Sequence, residues 1–439
     1  MQMLADKRVL VLGLGISGRS AARFCADRGA RVVAADEGLP DVTTPTPGVE
    51  FVLGRDFPDA ADFDLVVPSP GVPPECYRQN ARRVWGDIEL AWRALQIPIV
   101  AVTGTNGKST VTRMIEAALF ASGFRARAAG NVGKPALDLV GDALDVAILE
   151  VSSFQLETTE SFRPAVAVVL NVTPDHLDRH GSFEAYREAK ARILANQGAG
   201  DTALIASDDR EARGLARRAR GRVVPFSATG PAPGGAWLDG EEAVLDTEAG
   251  APIRIPLETH LPGRHNRENA LAALAAAHAA GAAPERAAAG IAAFAGLPHR
   301  MEAVGCVAGV SYVNDSKATN PSAALRALDA VETPIIWIAG GRGKGLDFSA
   351  LAHTARERVR AAVLVGEATE ALKNALGESL STYAAATLEE AVRHAASLAQ
   401  PGDVVLLAPA CASQDQFRDY QERGECFRTA VHALGGTVQ

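Results

Sequence analysis

Residues 99–110, IVAVTGTNGKST, constrain this chain more than any other stretch. An apolar run ends in a glycine turn, and Lys108, Ser109 and Thr110 open a segment whose apolar residues recur with helical spacing. A strand that feeds a helix through so tight a turn belongs to a parallel α/β layer, because the helix must cross back over the sheet. The turn also carries chemistry. Backbone N–H groups of Gly104, Thr105, Asn106 and Gly107, the helix N-terminus and Lys108 can cradle the phosphates of ATP, and the Ser109 hydroxyl can ligate Mg²⁺. Val102 stands where the strict G-x-x-x-x-G-K-[ST] spacing puts its first glycine, so the loop is a variant. A glycine turn with a solvated lysine is the alternative, and Gly-Lys-Ser at a helix start weighs against it.

The same strand, turn and helix grammar recurs along the chain. Apolar runs at 8–13, 31–35 and 64–67 precede one break at Gln96-Ile97-Pro98. Runs at 99–103, 145–149, 166–171 and 202–206 precede another at Gly296-Leu297-Pro298, and runs at 309–313, 335–339, 361–365 and 403–408 follow it. Residues 222–262 carry Gly and Pro at turn-like intervals and read as an antiparallel flap, and the Ala-rich stretch from Asn269 to about Ala282 reads as a helix. The expected architecture is α/β in three domains: 1–95 Rossmann-like, 96–297 an ATPase-like parallel sheet with a small antiparallel part, and 298–439 Rossmann-like. With aromatics at 5% against 47% hydrophobic residues, Ala, Val, Leu and Ile must fill the cores, which disfavours a β-sandwich.

Net charge of −8 gives no global reason to bind nucleic acid. Five cysteines without a C-x-x-C pair indicate neither a disulfide framework nor a zinc ribbon, and no run of 18 apolar residues suggests a membrane span. MQMLADKRVLVLG enters a strand pattern without a signal-like apolar region, so a cytoplasmic location is expected.

Several other strand ends carry polar residues. Gly13-Leu14-Gly15-Ile16-Ser17-Gly18, with Asp36 closing the next strand, fits a dinucleotide fingerprint; a ligand-free tight turn is the alternative. An NAD-dependent oxidoreductase has only this feature in its favour. Glu150 ends the 145–149 run, where doubly wound sheets bind ligands, and could reach Mg²⁺; a helix-entry carboxylate is the competing reading. His176 and His180 lack the glutamate of a zincin, yet a histidine among carboxylates can serve a second Mg²⁺; a surface histidine is the competing reading. Phe183, Tyr186 and Ile193 put Lys190 on the inward stripe of a helix, where an ammonium must snorkel, pair or lose its proton. Polar loops containing Asn266, Arg300 and Asp315 offer groups for an anionic or nucleotide ligand, and those after 335–339 and 403–408 suggest a second small-ligand site.

Taken in order, GTNGKST, EVSSFQLE, NVTPDHLDRH, AYREAKARIL, GRHNRENALAA, LPHRME, NDSKATNP, GGRGKG and PACASQDQF resemble the Mur ligases of peptidoglycan synthesis over essentially the whole chain. EVSSFQLE and NDSKATN resemble the members that add D-glutamate. The resemblance implies an ATP-dependent amide ligase that joins glutamate to UDP-N-acetylmuramoyl-L-alanine through an acyl phosphate; an L-glutamate-adding or other Mur-type ligase is the alternative. It implies that Gly13, Gly15, Ser17, Gly18, Asp36, Ser69 and Gly71 face UDP, with Asn131, Ser152 and Ser153 near the reacting end of that substrate. Gly104 to Thr110, Asn266, Arg300 and Asp315 would hold ATP. Two Mg²⁺ ions would be served by Ser109, Glu150, His176 and Lys190, the last as a carbamate. Lys317, Thr319, Lys344, Ser413 and Tyr420, the last where phenylalanine is expected, would line the glutamate site. A monomer is expected.

Overall fold

The computed structural model describes residues 4–40, 46–131, 133–246, 250–343 and 345–435. Three sheets carry the strands. In the first, β1 (Arg8–Leu12), β2 (Arg31–Asp36), β3 (Val49–Leu53) and β4 (Leu65–Pro68) pair in parallel in the order β3-β2-β1-β4. Val9, Leu10, Val11 and Leu12 are fully buried, as expected of a strand covered on both faces.

The second sheet contains β5 (Ile99–Thr103), β6 (Ala126–Gly130), β7 (Val146–Glu150), β8 (Val166–Val169) and β9 (Thr202–Ala206), followed by β10 (Arg222–Ser227), β11 (Ala236–Asp239), β12 (Glu242–Leu245) and β13 (Ile253–Pro256). Their order is β13-β12-β11-β10-β9-β8-β5-β7-β6. The expected flap over 222–262 needs correction. β10 and β11 join this sheet in parallel, and the antiparallel pairs are β11 with β12 and β12 with β13 at its edge. Gly235 explains the approach, since a Cβ there would lie 1.8 Å from the Pro225 carbonyl oxygen and β11 could not come alongside.

The third sheet is β14 (Glu302–Val307), β15 (Val310–Asn314), β16 (Ile335–Gly340), β17 (Val359–Val365), β18 (Thr382–Ala385) and β19 (Val404–Leu407), ordered β14-β15-β19-β16-β17-β18. All its pairs are parallel except β14 with β15. Trp337 is fully buried in it and donates from Nε1 to the Ala408 carbonyl at 2.8 Å. β3, β6, β14 and β18 did not stand out in the sequence. The β6 segment ARAAG shows why, because alanine and glycine carry little strand signal and pairing with β7 supplies what propensity lacks.

The chain forms two compact units, residues 1–258 with 270–292, and residues 259–269 with 293–439. The first contains the first two sheets and the second contains the third. The helix Arg264–Ala279 begins five residues before the expected Asn269. Its polar opening reads as a loop, yet Asn266 Nδ2 donates to the Pro262 carbonyl at 2.7 Å and Asn269 Nδ2 to Asn266 Oδ1 at 3.2 Å. Among the described residues no helix is long and apolar enough to cross a membrane. All five cysteines are free thiols.

Candidate active site

β5 delivers the loop 104–107 to the N-terminus of the helix Lys108–Ala121. Gly107, with φ 85°, makes the left-handed turn into the helix at no Cβ cost. Asn171, just beyond β8, clamps the loop. Its carbonyl accepts from Thr105 N at 2.9 Å, its Oδ1 from Asn106 N at 2.8 Å, and its Nδ2 donates to the Asn106 carbonyl at 3.1 Å. The Thr105 and Tyr186 hydroxyls lie 3.0 Å apart. Ser109 and Thr110 are buried in the first helical turn.

Two lysines converge on one carbonyl. Lys108 Nζ donates to Gly104 O at 2.8 Å and to Thr105 O at 2.9 Å, and Lys190 Nζ donates to the same Gly104 O at 2.8 Å. Lys190 is 1% exposed and sits 4.6 Å from the Tyr186 ring centroid. Burial, then the Lys108 charge, pushes its pKa well below the usual lysine range, with Asp175 and Glu150 partly opposing. The inward stripe read from the sequence is therefore correct, and the lysine does not snorkel.

Glu150 ends β7 and is also 1% exposed. Its Oε1 accepts from Asn131 Nδ2 at 2.7 Å, and its Oε2 is buried without a hydrogen-bond partner. An orphaned buried carboxylate oxygen is costly, and a cation would relieve it. His176 has left-handed φ of 51°, stands 4.9 Å from the Phe154 ring and holds Nε2 3.7 Å from Asp175 Oδ2. No cluster of three His, Cys, Asp or Glu side chains suited to a metal occurs among the described residues. The donor set expected from sequence draws instead on a serine hydroxyl and a modified lysine, and the unpartnered Glu150 oxygen fits it.

The first glycine turn, at the end of β1, is built differently. A Cβ at Gly18 would lie 1.8 Å from the Gly13 carbonyl, and Ser69 Oγ donates to that carbonyl at 2.7 Å. Asp36 accepts from Leu14 N at 2.6 Å and Gly38 N at 2.9 Å, so its carboxylate shapes the loop that it borders. Gly15 precedes the helix Ile16–Ala26, and Ser17, Gly18, Ser69 and the buried Asp87 line one crevice. Space for a Cβ is open at Gly71. Ser152 caps the helix Ser153–Leu156 in a reciprocal capping box with Gln155, whose Nε2 donates to Asp87 Oδ2 at 2.9 Å.

In the second unit, Lys317 Nζ lies 3.6 Å from the Tyr420 ring centroid, a cation–π contact. Asp315 Oδ1 accepts from Met301 N at 3.3 Å; burial pushes its carboxyl up to about 6, with the nearby Arg300 charge opposing. His265 is pushed down to about 4, first by burial and then by Arg326 and Arg300, so it is neutral at pH 7. Thr319 follows in the same loop as Lys317, Ser413 is buried beyond β19, and Lys344 lies outside the described residues. Sequence reading gave no role to Arg423. This 3% exposed guanidinium donates to Ser316 Oγ and O at 3.0 and 2.8 Å and to the Cys411 carbonyl at 3.1 Å, tying together loops 315–320 and 409–413. Its signal is tertiary, as is that of Asn171.

Comparison with known proteins sets this geometry in context. A profile described as Mur ligase middle domain matches residues 102–277, and one described as Mur ligase, glutamate ligase domain matches 299–411. The UDP-N-acetylmuramoylalanine–D-glutamate ligase of Geobacter metallireducens is 45% identical over 98% of this chain and 98% of its own. The chain belongs to the Mur ligase family. The protein of the same name from Anaeromyxobacter dehalogenans is also 45% identical, over 97% of each chain. Solved structures share the fold at far lower identity. A pseudomurein peptide ligase from Methanothermus fervidus superposes with a TM-score of 0.63 at 18% identity, covering 98% of this chain and all of its own. A UDP-N-acetylmuramate-alanine ligase from Thermotoga maritima gives 0.61 at 18%, with the same coverage. The α/β reading and the family resemblance both stand.

Proposed function

We propose that the chain is an ATP-dependent ligase that joins D-glutamate to UDP-N-acetylmuramoyl-L-alanine. The name shared by full-length relatives supports the reaction. The observation that carries it is the pair of lysines on Gly104 O at the head of a helix, one of them buried with its pKa pushed well below the usual lysine range.

The chain's own residues account for the chemistry. The loop 104–107 and the start of the helix Lys108–Ala121 bind ATP phosphates through oriented N–H donors, with Lys108 as the cation beside them. In the proposed reaction the alanyl carboxylate takes the terminal phosphoryl group, and the glutamate amine attacks the acyl phosphate and expels phosphate. Ser109, Glu150, His176 and Lys190 would hold two Mg²⁺ ions, which supply charge neutralisation for phosphoryl oxygens when bound. A neutral Lys190 amine can add to CO₂, losing one proton and gaining a carboxylate that turns a buried donor into a metal ligand. Asn266, Arg300 and Asp315 are assigned to ATP. Gly15, Ser17, Gly18, Asp36, Ser69, Gly71, Asn131 and Ser152 are assigned to the nucleotide substrate, and Lys317, Thr319, Lys344, Ser413 and Tyr420 to glutamate. The domains 1–95, 96–297 and 298–439 then correspond to UDP, ATP and amino acid, in a cytoplasmic monomer.

The deciding assay offers D-glutamate, L-glutamate, L-lysine and diaminopimelate separately with UDP-N-acetylmuramoyl-L-alanine and ATP. Phosphate release that requires D-glutamate is expected, and release with another amino acid alone would overturn the assignment. NADH fluorescence should show no binding, which removes the oxidoreductase that the first glycine turn alone allows.

A further inference from the structure

The turn that carries Arg300 is held by side chains to which the reaction above gives no task. His299 and Met301, on either side of that arginine, are both left-handed, with φ of 62° and 45°. A glycine would take this conformation freely, whereas a histidine and a methionine take it at a cost. Two such residues around one arginine persist only where their surroundings over-determine them, and conformations of this kind collect at ligand clamps.

Glu302, the first residue of β14, is the hub of those surroundings. Its Oε2 accepts from His299 N at 2.8 Å and from Asn314 Nδ2 at 3.2 Å, and its Oε1 pairs with Arg428 Nη2 on the helix Tyr420–Ala433. Bonds to an ionised acceptor are the strong ones, so this carboxylate dominates the hold on His299. Asn314 is fully buried, and its Nδ2 also lies 3.0 Å from His299 Nδ1. A Cβ at Gly424 would lie 2.2 Å from that ring nitrogen, so the helix reaches the imidazole only because glycine stands there. Lys317 N donates to the His299 carbonyl at 3.2 Å, and Met301 N to Asp315 Oδ1 at 3.3 Å.

With both neighbours locked, the direction in which Arg300 leaves the backbone is set. Beyond burial, its charge acts on the Asp315 carboxyl and, after Arg326, on the His265 imidazole, so segments 263–266, 297–301 and 314–316 of the second unit meet around it. Were either neighbour to relax to the right-handed region, the side chain would swing out of that group. We propose that Glu302 is a positioning residue for ATP: it holds the left-handed turn that aims Arg300 at the nucleotide, and Arg428 braces Glu302. This rests on the ligase reading, in which Arg300 contacts ATP.

A double-mutant cycle on the full-length protein tests this, read both as the Kd of ATP with Mg²⁺ by calorimetric titration and as KM in the phosphate-release assay. Glu302→Ala should weaken ATP about tenfold, with little change in kcat or in the KM for glutamate. Arg300→Ala should weaken it at least as much, and the double variant no further than Arg300→Ala alone, because Glu302 acts through that side chain. Adding Met301→Gly to Glu302→Ala should recover part of the loss, since glycine needs no help to stay left-handed. Arg428→Met, which removes the brace and leaves the Glu302 contacts in place, should weaken ATP about threefold, and Arg428→Lys should weaken it less. If Glu302→Ala does not fold, Arg428→Met carries the cycle with Arg300→Ala. Additive losses, a rise in glutamate KM in place of the ATP effect, no gain from Met301→Gly, or unchanged affinity overturns the proposal. A wild type that binds ATP without joining D-glutamate defeats the ligase reading alone, and the cycle in Kd still judges the turn; one that binds no ATP defeats both.

Discussion

Two glycine turns in the first unit look alike in sequence and are built for different work. At the end of β1, Gly13 and Gly18 let backbone approach backbone, and the nearby polar side chains are turned inward, Asp36 onto Leu14 N and Gly38 N and Ser69 onto Gly13 O. At the end of β5 the turn is held from outside by Asn171, and its own carbonyls are occupied by two amines. The first is a surface shaped by hydrogen bonds, the second a meeting point of two amines at the head of a helix. A glycine pattern sets how closely a ligand can approach; on the proposed function, the neighbouring amines set whether phosphate is held there.

Removing the buried amine from the second turn should have the largest effect. Lys190→Ala should abolish ligation while leaving the fold intact, and formate or acetate should partly restore turnover in a phosphate-release assay; full activity without rescue would defeat the carbamate assignment. Gly18→Ala attacks the first turn through geometry alone. Its Cβ meets backbone at 1.8 Å, so a stability loss of about 3 kcal/mol in urea titration is expected. Asn171→Ala should cost about 2 kcal/mol and raise the KM for ATP more than that for the nucleotide substrate, since it frees only the second turn. Asp36→Ala should do the converse at about 1 kcal/mol, raising the nucleotide KM and sparing ATP. Should Asp36→Ala impair ATP binding as strongly, the contrast between the two turns would fail.

Much of this was legible in the chain because it is local. The strand–turn–helix units at Gly13 and Gly104, the inward stripe that buries Lys190 and the position of Glu150 at a strand end all follow from residues close in sequence. What escaped depends on distant partners. Asn171 acts on a loop 65 residues away, and Arg423 donates to a serine 107 residues away. The helix start at Arg264 was hidden because HNREN has the polarity of a loop, and β6 because alanine declares no strand.

The shared acceptor at Gly104 O has a further consequence. Two amines on one oxygen make each sensitive to what the other becomes. On the proposed carbamate chemistry, replacing the Lys190 amine with an anion changes the field in which Lys108 meets phosphate. Dissolved CO₂ and ATP would then be heterotropic ligands of one another. By reciprocity, whatever factor the gas contributes to nucleotide affinity, the nucleotide must return in retention of the gas.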